Sequence, residues 1–402
     1  GLGLILALVV KEVPFLLWTA ATQLQREDVR QRWQAEHALA QTLGYGARRA
    51  FWRVVWPQLA PRLQWPLLAV LAYGLTVVDM ALVIGPTSPP TLAVLAWQWL
   101  GDVDPATHAL GAAAGVVLMG LVVGTGALWW GAHRLAQARP RLDGERGAVV
   151  AVRAPGHDAA GVAMLSVYGA AWLALAVGSI SGVWPFPAVW PDSFTLDAWS
   201  RVIDSGSTAW TTLWLGAASS AIALVWSVAW LECAPRRWDE AARPLLYLPL
   251  VLPAVLWVVG LYGVGLQLRL EGQASGLLIA HTLMVLPYVL LSLSPAYLGF
   301  DPRYAQLNAS LGRSGSAFLL RVKWPLLKRS IASAAAVGFA VSVAQYLPTL
   351  YLGAGRFASV TTEAVTLASG GQRSLTSAYA GLQIALPLLV FALAAWLGRP
   401  RR

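Results

Sequence analysis

The sequence predicts an all-α polytopic membrane protein, and three observations carry that expectation. Of its 402 residues 57% are hydrophobic and only 12% charged, about half the charged share of a soluble domain. Apolar stretches of about 20 residues recur along the whole length, the reach a helix needs to cross roughly 30 Å of hydrocarbon. Alternating ten-residue strands, the pattern of a membrane barrel, are not apparent.

Nine spans are expected, at approximately 1–20, 64–86, 106–132, 161–182, 208–231, 244–268, 276–298, 331–352 and 376–398. Pro14, Pro249, Pro253, Pro287 and Pro387 fall inside them. Membrane helices tolerate proline because neighbouring groups re-satisfy the freed backbone. Most of the 21 tryptophans, among them Trp18, Trp65, Trp129, Trp130, Trp184, Trp190 and Trp230, are expected near span ends, as an interfacial aromatic belt places them.

Charge sets the orientation. The connections 21–63, 133–160, 232–243, 299–330 and 399–402 hold 24 Lys and Arg, whereas the alternate connections hold four. Cytoplasmic loops carry such an excess, so the first set is expected in the cytoplasm. The net charge of +10 is thereby a topology signal, and nucleic acid is not expected as a partner. One cysteine, Cys233, excludes an intrachain disulfide framework.

Two of the basic connections repeat each other. Thr42–Leu63 and Ser310–Ile331 align without a gap and share seven of 22 positions: Leu43/Leu311, Gly44/Gly312, Arg53/Arg321, Val54/Val322, Trp56/Trp324, Pro57/Pro325 and Leu59/Leu327. The offset is 268 residues throughout. An internal duplication follows, with an N-terminal half at 1–138 (three spans), a polar cytoplasmic linker at 139–160, and a C-terminal half at 161–402 (six spans). Both halves cross the membrane in the same direction, so the repeat is parallel and not inverted. If the halves match, about a hundred residues and three spans are missing before Gly1, by the logic of internal repeats.

The repeated segment resembles the cytoplasmic coupling loop of ABC importer permeases of the binding-protein-dependent type. That pattern is Glu-Ala-Ala, three residues, Gly, nine residues, Ile, any residue, Leu-Pro. Here Gly44 is followed by nine residues and then Val54-Val55-Trp56-Pro57, and Gly312 by nine and then Val322-Lys323-Trp324-Pro325. The upstream triplet falls on Ala38-Leu39-Ala40 and on Gln306-Leu307-Asn308. The leading glutamate is absent from both, and tryptophan replaces leucine before the proline. As a whole the chain is similar to the fused permeases of thiamine and ferric-iron importers. A softer likeness lies in Phe194-Thr-Leu-Asp-Ala-Trp, ahead of Trp210.

The resemblance implies a permease subunit in the bacterial inner membrane. Its partners would be a separate ATP-binding subunit, expected as a homodimer, at the two coupling loops, a periplasmic or extracellular solute-binding protein, and membrane lipid. ATP and Mg would be bound by the partner and no cofactor by this chain, which is not expected to be an enzyme. The coupling residues it implies are Ala38, Ala40, Gly44, Arg53, Val54, Trp56 and Pro57 in the first copy. In the second they are Gln306, Gly312, Arg321, Val322, Trp324 and Pro325. Glu36 and Asp301 lie near the missing glutamate at different spacing.

The physical logic stands without the family. Glycine permits a sharp reversal, proline can open the following helix, and a short amphipathic segment between them can lie across a partner's groove. No Gly-x-x-x-x-Gly-Lys-Ser/Thr is present, so a phosphate-cradling loop of that kind is missing. The five histidines lack metal-ligand spacing, and His281 is expected as a packing residue.

Ionisable groups inside spans are functional candidates. Asp79, and Gln345 with Tyr346 at a comparable place in the second half, are expected along the translocation path. Lys11 and Glu12, as sequence neighbours, are not expected to face each other. A rival reading is an ion-gradient-driven secondary transporter with parallel repeats, for which Asp79 would be the ion or proton site.

Overall fold

The computed structural model describes residues 1–24, 27–137, 156–185 and 188–399. Among them the regular structure is helical, with one isolated antiparallel bridge between Ser181 and Phe194. In chain order the elements begin with α1 (Leu2–Leu24), α2 (Glu27–Thr42), α3 (Ala47–Ala50), a π-helical turn (Phe51–Val55) and α4 (Trp56–Leu59). After a 3-10 turn (Ala60–Leu63) come α5 (Gln64–Thr76), α6 (Asp79–Ile84), α7 (Leu92–Leu100), α8 (Pro105–Gln137) and α9 (Gly156–Ser179). Next are α10 (Asp197–Asp204), α11 (Gly206–Cys233), α12 (Arg236–Leu246), α13 (Leu248–Val251), α14 (Ala254–Gln267) and α15 (Ala274–Leu298). The chain ends with α16 (Arg303–Ser310), α17 (Gly315–Phe318), a second π-helical turn (Leu319–Lys323), α18 (Trp324–Val343), α19 (Leu347–Gly353), α20 (Val360–Ser369) and α21 (Arg373–Leu397).

Seven helices among the described residues are long and apolar enough to cross a membrane, and an eighth crossing is possible through a pair bent by 104°, Arg237–Val251 with Ala254–Gln267. Pro253 stands at that bend. It has no N–H to continue the helical ladder.

The expected span 244–268 falls on that bent pair and is no single helix, and two more expected spans differ in form. The stretch 64–86 is no single helix: α5 stops at Thr76, Val77 is extended (φ −64°, ψ 131°), and α6 restarts at Asp79. No proline causes this break. Two successive β-branched valines disfavour helix, and a carboxylate in the first turn favours a new one. The span expected at 331–352 begins earlier, within a continuous helix from Gly315 to Val343, and breaks before α19. There Pro348 occupies the first turn, where proline is tolerated.

Packing divides the chain into two units. The first holds residues 1–77, 88–169 and 250–253. In it α8 packs against α5 and α7, and Trp33, Val55, Leu59 and Leu63 form a buried cluster beneath α2. Lys11 stands 3.4 Å above the Tyr73 ring of α5 and 3.6 Å from Glu12. The two neighbours do meet, which lysine's flexible four-carbon stem permits. The expected linker, 139–160, lies outside the described residues as far as 155, and 156–160 open α9.

The second unit holds 78–87, 170–249 and 254–402. Its core is the α11, α15 and α18 trio, closed around Ala223, Val285, Val289, Leu293 and Tyr297. Small residues bring α11 and α18 together: a methyl group on Gly216 would meet the Phe339 ring at 2.8 Å, and one on Gly338 would meet Ser220 Oγ at 2.6 Å. Membrane helices associate closely through such positions.

Candidate functional site

The 268-residue offset also relates elements outside the 22 aligned residues. α3 and α17, the two π-helical turns, the breaks that open α6 and α19, and the starts of α7 and α20 and of α8 and α21 all recur 268 residues apart. Thr91 and Ser359, at the same offset, each cap their helix by accepting from the N–H of its third residue.

At the head of each copy the helix ends in one way. Gly44 (φ 90°) and Gly312 (φ 67°) reverse the chain in the left-handed region, which glycine enters freely. The N–H of Tyr45 returns to the carbonyl of Ala40, and that of Arg313 to Asn308. This six-residue closure is a Schellman turn. The third position of each upstream triplet lies under the turn. Ala40 is buried with Tyr45, Ala50 and Val54, and the buried Asn308 amide donates to the carbonyls of Arg313 and Ser314. The first position, Ala38 or Gln306, is exposed on the helix before the turn.

Past the turn, the proline shapes the helix. Pro57 and Pro325 lie in the first turn of α4 and α18, and the preceding Trp56 and Trp324 N–H groups reach back five residues, to the carbonyls of Phe51 and Leu319. Widening to a π-helical turn moves the carbonyl four residues back away from the proline ring, which would otherwise clash with it.

Different neighbours hold the two segments. In the first copy Gln58 Nε2 donates to Glu36 at 2.6 Å, Trp33 Nε1 donates to Gln58 Oε1 at 2.9 Å, and Arg32 pairs with Glu36 at 2.7 Å. The Arg32 guanidinium, and then the Gln58 amide, hold the Glu36 carboxyl below its usual range. Glu36 thus binds within its own chain. In the second copy Lys323 lies 2.6 Å from Glu232 at the end of α11, and Tyr297 also donates to that carboxylate at 2.7 Å. Trp324 donates to the Tyr297 hydroxyl at 3.3 Å. Neither anchor was legible in the sequence, because the partners are 22 and 91 residues apart.

Each segment exposes large apolar side chains at matching places. Leu43 and Leu311 are 53% and 63% exposed, and Trp52 and Leu320 52% and 61%. Leu39 and Leu307 are exposed as well. Arg321 and Pro325 are also exposed, while Arg53, Val54, Trp56, Pro57, Val322 and Trp324 are half-buried.

Asp79, Gln345 and Tyr346 fall at the two breaks. Asp79 opens α6, whose residues belong to the second unit, and its carboxylate is within electrostatic reach of the buried Tyr346. Beside them His281 is wholly buried, with Nδ1 2.9 Å from Ser342 Oγ and Nε2 2.9 Å from Thr349 Oγ1. It is a satisfied packing residue of the α18–α19 break. No group of three metal-ligating side chains occurs among the described residues.

No family model matches the sequence. Curated relatives do. The chain is 37% identical over 413 residues to the inner membrane ABC transporter permease protein YnjC of Escherichia coli, which covers all of this chain and 74% of the relative. The chain belongs to the ABC transporter permeases. It is 31% identical over 219 residues to the thiamine transport system permease protein ThiP of Salmonella typhimurium, across 50% of this permease and 38% of that one. It is 31% identical over 129 residues to the molybdenum transport system permease protein ModB of Mycobacterium tuberculosis, across 29% of this chain and 49% of the relative. The permease is a transport subunit and a multi-pass inner-membrane protein. In this family ATP hydrolysis resides in a separate subunit, which decides against the ion-gradient reading of Asp79.

Proposed function

We propose that the permease imports a small solute through two fused halves, and that the segments turning at Gly44 and Gly312 receive the ATP-binding subunits, one copy each of a homodimer. The observation that carries this is the matched exposure of Leu39, Leu43 and Trp52 with Leu307, Leu311 and Leu320. They lie in basic connections, where lipid does not account for apolar exposure, and a rimmed apolar patch marks a docking surface. ATP and Mg stay with the partner and this chain binds no cofactor. A solute-binding protein delivers the solute from the opposite face, and lipid surrounds the spans.

Arg53, Arg321 and the helices rising from Pro57 and Pro325 carry the partner's movement toward the breaks. Asp79, Gln345 and Tyr346 line the path there. A carboxylate beside a phenol suits a cation, and thiamine, the solute in ThiP's name, carries a fixed positive charge.

The test is co-purification of the ATP-binding subunit with Trp52→Glu and Leu320→Glu permeases. The reading expects each substitution to weaken retention and the pair to abolish it, while the permease stays monodisperse. Wild-type retention by the double variant refutes it.

A further inference from the structure

The two docking segments differ at one position that decides what lies behind them. Lys323, the last residue of the second π-helical turn, occupies the place that Val55 fills in the first. Val55 is buried in an apolar cluster on α2. The Lys323 side chain is only 13% exposed, contacts Glu232 at 2.6 Å and stands 4.1 Å above the Tyr297 ring. Glu232, next to last in α11, also accepts from Tyr297. The ammonium side of the pair is shielded, while the Glu232 side chain is 29% exposed.

Further contacts join the same two helices. Ser220 of α11 donates to the Ala335 carbonyl of α18 at 2.6 Å. Twelve residues separate Glu232 from Ser220 and Lys323 from Ala335, or about 18 Å along each helix. The hydroxyls of Ser219 and Ser342 lie 3.1 Å apart, one residue before α18 ends. Thr212 then accepts from the N–H of Val360, beyond the break, at 2.9 Å. α11 is therefore fastened at its end to the docking segment and along its length to both sides of the break that carries Gln345 and Tyr346.

We infer that Lys323 is a positioning residue for transport: its contact with Glu232 makes α11 and α18 move as one body when the second docking segment is displaced. At the matching place of the first segment Val55 packs in the apolar cluster on α2, so the ion pair is particular to the second segment. The inference rests on the docking of the ATP-binding subunit at that segment.

Cys233 tests it directly, being the only cysteine of the chain, exposed, and adjacent to Glu232. The full permease with its ATP-binding subunit is placed in lipid nanodiscs, and maleimide labelling of the permease is followed without nucleotide and with ATP plus vanadate. In the wild type the labelling rate is expected to change about fivefold or more between the two states, the range of ordinary conformational coupling. Lys323→Met loses that response, and the exchanged pair Lys323→Glu with Glu232→Lys recovers it. A wild-type response in Lys323→Met, an exchanged pair that fails to recover, or a wild-type rate indifferent to nucleotide overturns the inference. Failure of the wild type to retain the ATP-binding subunit overturns the docking reading itself, and this inference with it.

Discussion

Gln58 stands between two helices, accepting from Trp33 Nε1 at 2.9 Å and donating to Glu36 at 2.6 Å. It joins the segment after Gly44 to the helix before it, so the first docking segment is braced independently of any partner. Gln58→Leu leaves the buried Trp33 N–H unpaired, at a cost of roughly 1–2 kcal/mol. Hydrogen exchange of the α2 amides is expected to accelerate about 5- to 30-fold as the local opening energy falls. Unchanged exchange would show that Gln58 braces nothing.

The same brace has a pH dependence. Arg32 and Gln58 lower the Glu36 carboxyl below its usual value of 4.5, so the native segment binds a proton less readily than the unfolded one. Its contribution is complete above that usual value and is lost as pH falls through the lowered one. Exchange across residues 43–55, corrected for intrinsic rates, is expected to rise on acidification in the wild type. Glu36→Gln should flatten that rise, and an equal rise in both would assign it to other groups.

At the breaks, Asp79 and Tyr346 belong to one packed unit and interact through space. On the proposed reading of a cationic solute such as thiamine, Asp79→Asn is expected to lower uptake of radiolabelled thiamine by about tenfold, since a carboxylate at membrane depth is costly to keep without a task. Tyr346→Phe should have the smaller effect, and both variants should keep the ATP-binding subunit. Undiminished uptake in Asp79→Asn would remove that carboxylate from the path.

His281 predicts stability and not transport chemistry. His281→Ala removes a fully buried ring and two hydrogen bonds that fasten α15 to Ser342 and Thr349. A loss of about 2–4 kcal/mol is expected from the cavity and the stranded hydroxyl, read as a lowered Tm in detergent. A Tm within a degree of wild type would contradict this role.

Much of this was legible in the sequence, and the remainder was hidden for physical reasons. Glycine and proline act locally, so Gly44, Gly312, Pro57 and Pro325 announced a turn and a disturbed helix at fixed spacing. The break at Val77 was hidden because a largely apolar stretch reads as one span, and the extended Val77 backbone divides it ahead of Asp79. The shared exposure of Trp52 and Leu320 was invisible to an alignment scored by identity, since the chemistry matches and the residue does not. Lys323 with Glu232 and Gln58 with Glu36 depend on helices meeting across the fold, which no local pattern encodes.

The two left-handed glycines offer the most direct test of the central claim that the paired turns form the ATP-binding subunit's seat. At Gly312 the surrounding space is open and only its φ of 67° restricts the side chain, so Gly312→Asn, which tolerates that region, should behave as wild type. Valine there is strained by about 1–2 kcal/mol or more, and φ is 90° at Gly44. The measurement is the amount of ATP-binding subunit retained by the permease carrying Gly44→Val and Gly312→Val together. The account predicts its loss from a permease that remains monodisperse. Retention at the wild-type level would contradict it.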